Sequence, residues 1–412
     1  MPVVPGLREL AALTSDEAGA QRLAWTPTWE RARDWFDARC AGLPVTLARD
    51  EAGNQWATLE GAGASVLVIG GHLDSVANGG WLDGCLNVVA GLEVLSALAA
   101  EGPLPVTVAV VSWADEEGAR FGRSLFGSSA AAGRLDVEAA RGLRDAQGVT
   151  LPQALAEHGV DLDTAGLSAR RLSAVKAYLE LHIEQGPALE ALGVPLGVVL
   201  GTVGVRRHRL RFSGQAAHAG STPMDARQDA LVAAAELTLA VREIALAHGG
   251  VGTVGGVWVE PGLPTIVPGA CEATLDQRHL DPHALDAMLE AARQAAAAAA
   301  AREGVSVEWS PLFSADPVPF HPDLIGICEA AVRAESGSSH RLPSGPLHDA
   351  TSMAQAGIPA GMIFVRSLRG LSHCKEEDSL AEDLEMGARA MARAARATIA
   401  WLVAERGEPG LR

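Results

Sequence analysis

The sequence predicts an α/β protein that carries a second, smaller domain as an insertion, and three observations lead there. Short apolar runs rich in β-branched residues, at 65–69, 106–113, 177–183 and 361–365, alternate with longer stretches whose apolar residues recur at helical spacing. Between about 205 and 317 the order changes to β-α-β-β-α-β, that of a ferredoxin-like unit. After 318 the first pattern resumes. The domains expected are therefore 1–205 together with 318–412, and 206–317.

Composition narrows the classes. Of 412 residues 48% are hydrophobic and 20% charged, an ordinary balance for a chain with a large core. No run of roughly 18 apolar residues appears, so no membrane span is expected. The first residues lack the basic flank and apolar core of a signal peptide. Cys40, Cys85, Cys271, Cys328 and Cys374 are odd in number and form no Cys-x-x-Cys pair, which fits a reduced, cytoplasmic setting. A net charge of −17 opposes nucleic-acid binding, which uses basic patches.

Taken in order, Thr26-Pro27 opens a helix with proline at its first position, Gly42 stops it, and residues 50–54 read as a hairpin turn. Run 65–69 leads into a Gly-rich loop at 70–84 bearing His72, Asp74 and Asp83. Val88, Val89, Leu92, Leu95 and Leu98 then mark a helix. In open α/β sheets such a loop lies at the carboxyl end of its strand, where ligands collect. Run 106–113 leads into Asp115-Glu116-Glu117, which is either an acidic turn in solvent or, if the acids face inward, a group that needs a cation or protons; beside the Gly-rich loop the second reading is favoured. Residues 123–175 are mostly helical in pattern. Run 177–183 carries Glu180 and His182 on one side and leads into Glu184-Gln185-Gly186-Pro187. In the inserted domain, strands are expected at 205–212, 252–259, 271–275 and 305–309, and helices at 225–248 and 282–302. Two unusual loops there hold His218 and Thr265. The last hundred residues bring a helix at 321–335, a turn through Ser344, His348 and Asp349, run 361–365, a loop with His373, and a closing helix at 380–405.

The polar residues collected at strand ends are His72, Asp74, Asp83, Glu116, Glu117, His182 and His373. Three imidazoles with several carboxylates suit zinc or a similar divalent ion, and they outnumber the ligands one ion needs. Two ions sharing a carboxylate use the surplus, and Asp83 on the Gly-rich loop is the natural bridge. Asp74, two residues from His72, is placed to hold that imidazole in one tautomer. Of the glutamate pair, Glu117 binds metal and Glu116 serves as general base.

With these motifs assembled, the chain resembles the zinc-dependent amidase, hydantoinase and carbamoylase family, relatives of the dinuclear-zinc aminopeptidases and carboxypeptidases, over nearly its whole length. The resemblance rests on Gly71-His-Leu-Asp-Ser-Val76, Asn78-Gly-Gly-Trp-Leu-Asp83, Glu116-Glu117-Gly-Ala-Arg-Phe121, His182-Ile-Glu-Gln-Gly-Pro187, Ala217-His-Ala-Gly-Ser-Thr-Pro-Met224, Val267-Pro-Gly269, Asp276-Gln-Arg278, His348-Asp349 and Gly370-Leu-Ser-His373. It implies a mixed-sheet, three-layer catalytic domain with the ferredoxin-like insertion as a lid through which two subunits pair. It implies two divalent ions, zinc first with manganese, cobalt or nickel as alternatives, on His72, Asp83, Glu117, His182 and His373. Glu116 would be the base, with Asp74, beside His72, also counted among the catalytic residues. His218 would bond the oxyanion and Arg278 the substrate carboxylate, with Gln185 and Thr265 also contacting substrate.

The expected reaction is hydrolysis of a C–N bond in a small ureido or amide acid, N-carbamoyl-L-amino acids placed first. Allantoate amidohydrolase or β-ureidopropionase is the alternative. A dinuclear peptidase or deacylase is a further one, against which the His-Ile-Glu-Gln-Gly-Pro block argues. Substrate identity stays open because the pocket departs from the family pattern. Thr265 stands for the usual Asn, Pro346-Leu347 for Ala-Gly, and Arg366 and Lys375 for prolines.

Overall fold

The run that opens the core becomes the strand Val66–His72 in the computed structural model, which describes residues 2–406. Thr107–Trp113, Val66–His72, Val175–Ile183 and Ala360–Val365 lie side by side and parallel. Gln55–Leu59 and Thr46–Arg49 extend one edge antiparallel, joined by the turn at 50–54. Leu196–Thr202 extends the other edge, antiparallel to Ala360–Val365, and Arg341–Ser344 pairs with it. The sheet is mixed, as expected.

Strands buried on both faces read as continuous apolar runs, which is how the four parallel ones announced themselves. Leu67, Val68 and Ile69 are wholly buried, each contributing roughly 1.5–3 kcal/mol. Registers separate the two faces. Ile69 pairs with Val110 and Leu179, and a Cβ added to Gly91 of the helix Cys85–Glu101 would touch Ile69 and Val110. On that same face Gly387 of Ala381–Arg406 meets Val365, and Leu324 of Pro322–Ser336 meets Gly361. The opposite face carries Trp113, Tyr178, Glu180 and His182. There the ring of His348, at the start of Asp349–Gln355, lies 4.5 Å from His182. Helices on both faces make the three layers.

The chain divides into two units, 1–200 with 320–412, and 201–319. In the second, the strands run Val251–Glu260, Ala270–His279, Gly204–Ser213, Ser306–Ala315, every neighbouring pair antiparallel. Ala230–His248 and Pro282–Glu303 pack on it through Leu210, Phe212, Leu237, Leu275 and Ala296. The element order is β-α-β-β-α-β.

Three details differ from the sequence reading. Leu196–Thr202 was not anticipated, although its β-branched run after Pro195 carries the signal. The helix expected from 225 starts at Ala230, because Asp229 caps it by accepting from the backbone N–H of Leu231 and Val232. Residues 123–175 break into short pieces, Phe126–Ala131, Val137–Arg141 and Leu151–Glu157, with a 3₁₀ turn at Ala165–Leu172.

Candidate metal centre

The four parallel strands end along one edge of the sheet, and that edge gathers the polar residues. His72 is in register with Trp113, and Phe364 with His182. The imidazoles of His72 and His182 come 6.1 Å apart. Asp83 reaches them because Gly84, at φ +67°, turns the loop tightly into the helix Cys85–Glu101. A Cβ there would lie 2.4 Å from the His72 ring, so only glycine fits.

Two groups of donors result, and Asp83 belongs to both. His182 Nε2 lies 3.1 Å and His72 Nε2 3.6 Å from Asp83 Oδ1. His373 Nε2 lies 3.2 Å from Asp83 Oδ2 and 3.4 Å from Glu117 Oε2. Glu116 stands outside both groups, with Oε2 3.6 Å from His72 Nε2. Backbone carbonyls fix two tautomers. His72 Nδ1 faces the carbonyl of Asp74 at 3.1 Å, and His182 Nδ1 that of Ile183 at 2.8 Å. Carbonyls only accept, so each Nδ1 carries the proton and each Nε2 turns a lone pair on a carboxylate. Buried His182 Nε2 makes no aligned hydrogen bond. Acceptors facing one another at such distances repel unless a cation or proton lies between, and this donor set fits divalent metal.

Without a cation the groups hold protons instead. Burial pushes His182 down, but contact with Asp83 outweighs it and raises the pKa to about 9. Contact with Asp83 likewise lifts His373 to about 9. Burial lifts Glu117 to about 8, with the Asp83 charge adding. Burial also lifts Glu116 well above the carboxylate range, followed by repulsion from Asp349, Glu117 and Asp74. His72 is pushed by burial down to about 4. Asp83 resists burial, and its histidine partners hold it well below its ordinary value.

Asp74 departs from its expected role. Its carbonyl, not its carboxylate, is the nearer partner of His72, since the carboxylate oxygen stands 3.7 Å from Nδ1. The carboxylate instead accepts from the backbone N–H of Glu116 at 3.2 Å and of Glu117 at 3.1 Å, shaping the turn that presents both glutamates.

Glu377 was missed. Buried under the Gly-rich loop, it accepts at 3.0 Å from the backbone N–H of both Leu82 and Asp83, and at 2.7 Å from the Ser372 hydroxyl. A Cβ on Gly80 would lie 2.0 Å from it, so glycine is required where the carboxylate passes. Ser372 and the Gln185 side-chain amide also reach Asp83 Oδ2, at 3.1 and 2.8 Å. Gln185 and His373 both have φ +56°, a left-handed backbone uncommon for such residues and recurrent at functional sites. The only sequence signal for Glu377 was an acid four residues past His373.

A cavity of about 210 Å³ opens on the centre, lined by the ligands, Glu116, Ser124, Gln185, Pro346, Leu347 and His348. His218, Thr265 and Arg278 belong to the other unit. His218 pairs with Ile266, its Nδ1 accepts from the N–H of Gly220 at 3.1 Å, and the Thr265 carbonyl accepts from the N–H of Ala219, so His218 and Thr265 are neighbours. Arg278 lies eight residues along its strand from Ala270, with Nε 2.9 Å from Asp276 Oδ1. At roughly 3.3 Å per residue that is about 26 Å from the His218 end.

The model of peptidase family M20/M25/M40 matches residues 68–397. An N-carbamoyl-L-amino acid amidohydrolase of Geobacillus stearothermophilus is 38% identical over 377 residues, covering 90% of this chain and 92% of the relative. An allantoate amidohydrolase of Escherichia coli (strain K12) is 32% identical over 389 residues, covering 93% and 94%. Among solved structures, an amidase of the hydantoinase/carbamoylase family from Burkholderia multivorans is 34% identical with a TM-score of 0.85, covering 95% and 96%.

Proposed function

The chain belongs to peptidase family M20/M25/M40, and from that premise we propose that it is a dinuclear metal-dependent amidohydrolase that decarbamoylates N-carbamoyl-L-amino acids. The observation that carries this reading is Asp83 shared by two donor groups, with Glu116 beside them but in neither. His72 and His182 would hold one ion and Glu117 and His373 the other, with Asp83 between. When bound, two divalent ions, zinc before manganese, cobalt or nickel, supply Lewis acidity toward a carbonyl and a lower pKa for water.

Glu116 acts on the water. Its buried carboxylate takes the proton as the oxygen adds to the ureido carbon, then delivers it to the departing nitrogen as the C–N bond breaks. Asp74 holds the Glu116–Glu117 turn through the transfer. The products are the amino acid and carbamic acid, which falls apart to carbon dioxide and ammonia. Gln185 orients substrate, with Thr265 and His218 at one end of the second unit and Arg278 at the other. His218 donates to the developing oxyanion. Arg278 offers the fork that suits a carboxylate.

The second unit acts as lid and dimerisation domain. Supporting this, its edge strand Val251–Glu260 leaves Trp258 56% exposed, and the helix Ala230–His248 leaves Leu239 71% exposed. In a homodimer, His218 and Arg278 of one subunit serve different active sites, because they lie too far apart for one. A cytoplasmic location suits the five unpaired cysteines, and no described helix is long and apolar enough to cross a membrane.

The test is turnover after chelation and refilling with zinc, manganese or cobalt. Ammonia release is followed from N-carbamoyl-L-amino acids, N-carbamoyl-β-alanine and allantoate, and free amine from dipeptides. Glu116→Gln is expected to lower kcat by about 10²–10⁴ while metal content stays full. Cleavage of dipeptides alone would move the chain to the peptidase reading, and allantoate as sole substrate to the alternative ureido acid.

A further inference from the structure

The residues that line the cavity over the candidate metal centre are polar or ionisable except for two neighbours. Pro346 and Leu347 line it together with His72, Asp83, Glu116 and Glu117, and Leu347 remains 46% exposed. An exposed leucine on an ordinary surface needs no explanation. This one faces the site where the reacting carbonyl must lie, and the backbone around it is anchored on both sides.

Before Leu347, buried Ser344 donates through its hydroxyl to the Pro346 carbonyl at 2.8 Å, while the proline ring restricts the backbone. After it, His348 is buried with its ring against His182 and Phe364, and the N–H of Ala350 donates to Glu180 Oε2 at 2.8 Å. Glu180 is itself held by the Tyr178 hydroxyl at 3.0 Å. The loop therefore presents Leu347 as a fixed apolar wall.

We infer that Leu347, backed by Pro346, is the specificity-determining residue of this cavity, selecting ureido acids whose α-carbon bears an apolar side chain over those bearing a second polar group. The inference rests on the proposed hydrolysis and deepens it. In an N-carbamoyl amino acid the side chain stands one atom beyond the nitrogen of the scissile bond. It must therefore lie close to whatever lines the reacting end of the cavity. An aliphatic side chain against Leu347 removes apolar area of both partners from water, which is favourable in proportion to that area. Allantoate places a second ureido group there. Leu347 offers that group no donor or acceptor, so its hydration is lost without replacement. An apolar contact of this size separates substrates by roughly 10–200-fold.

The test compares kcat/KM for N-carbamoyl-L-leucine, N-carbamoylglycine and allantoate in the zinc-loaded wild type, Leu347→Asn, which keeps the branched shape with polar ends, and Leu347→Met, which keeps the apolarity. The wild type is expected to prefer the leucine derivative by at least about tenfold over both others. Leu347→Asn is expected to lower that ratio by at least about tenfold, and Leu347→Met to retain it. Thermal melts of the metal-loaded variants check that folding is intact. Turnover of all three ureido acids with the same ratios in Leu347→Asn as in wild type overturns the assignment and leaves the reaction standing. No turnover of any ureido acid by the wild type, with dipeptides cleaved, overturns the reaction first and the selectivity with it.

Discussion

Charge at single residues decides how this site is built. Asp83 is the one carboxylate that every imidazole of the centre approaches, and it stays ionised despite full burial because those imidazoles compensate it. Its orientation depends on Glu377, whose carboxylate satisfies the N–H groups of Leu82 and Asp83. Glu377→Ala leaves both donors buried without an acceptor, which costs roughly 1–3 kcal/mol each. The variant is therefore expected to be about 2–6 kcal/mol less stable and to retain less metal. Guanidinium denaturation in chelator, with metal content after gel filtration, checks this. An unshifted midpoint with full metal occupancy would remove Glu377 from any part in holding Asp83.

At the scale of elements, the centre is the shared edge of four parallel strands rather than a property of any one of them. Val66–His72 and Val175–Ile183 end in His72 and His182, and the loops that follow the strands bring Asp83, Glu116, Glu117 and His373 to the same edge. Packing so many ionisable groups at one edge makes protons and metal ions compete. His182 and His373 titrate at about 9 in the metal-free protein, so both carry protons at pH 7.5 and must lose them to become ligands. Metal binding at pH 7.5 is expected to release roughly two to three protons for the two ions together, one each from His182 and His373 and most of one from Glu117, which burial lifts to about 8. Apparent affinity should climb as pH rises toward about 9 and level off beyond it. Calorimetric titration of zinc in buffers with different ionisation enthalpies measures the release directly. Heats independent of the buffer would mean that the imidazoles are already neutral.

For the whole molecule, the proposed dimer rests on the second unit. Two helices cover one face of its four-stranded sheet, and the edge strand Val251–Glu260 keeps its N–H and C=O row and Trp258 exposed. An unblocked edge bearing a large aromatic residue is a pairing surface. Trp258→Glu is expected to convert dimers to monomers in light scattering. kcat/KM should fall with it, since in the proposed dimer each active site draws one of its residues from the partner subunit. A variant that remains dimeric, or a monomer of full activity, argues against assembly through this edge.

What the sequence determined by itself was the chemistry and the core. Runs at 65–69, 106–113, 177–183 and 361–365 were legible because strands buried on both faces are written as unbroken apolar runs. The residues of the centre were legible because polar side chains at the ends of such runs have few structural reasons to be there. The β-α-β-β-α-β order was legible because helix and strand periods differ. What only the tertiary structure decided was which atom meets which. Asp74 lay two residues from His72, yet its carboxylate turned to the Glu116–Glu117 backbone and left the imidazole to a carbonyl. Glu377 took hold of a loop almost 300 residues away, and Leu347 became a wall of the cavity. The strand Leu196–Thr202 found its place only as the antiparallel neighbour of Ala360–Val365. Local periodicity reports the environment of a residue. Its partners are chosen by strand register and loop closure, which bring together residues that no window of sequence contains.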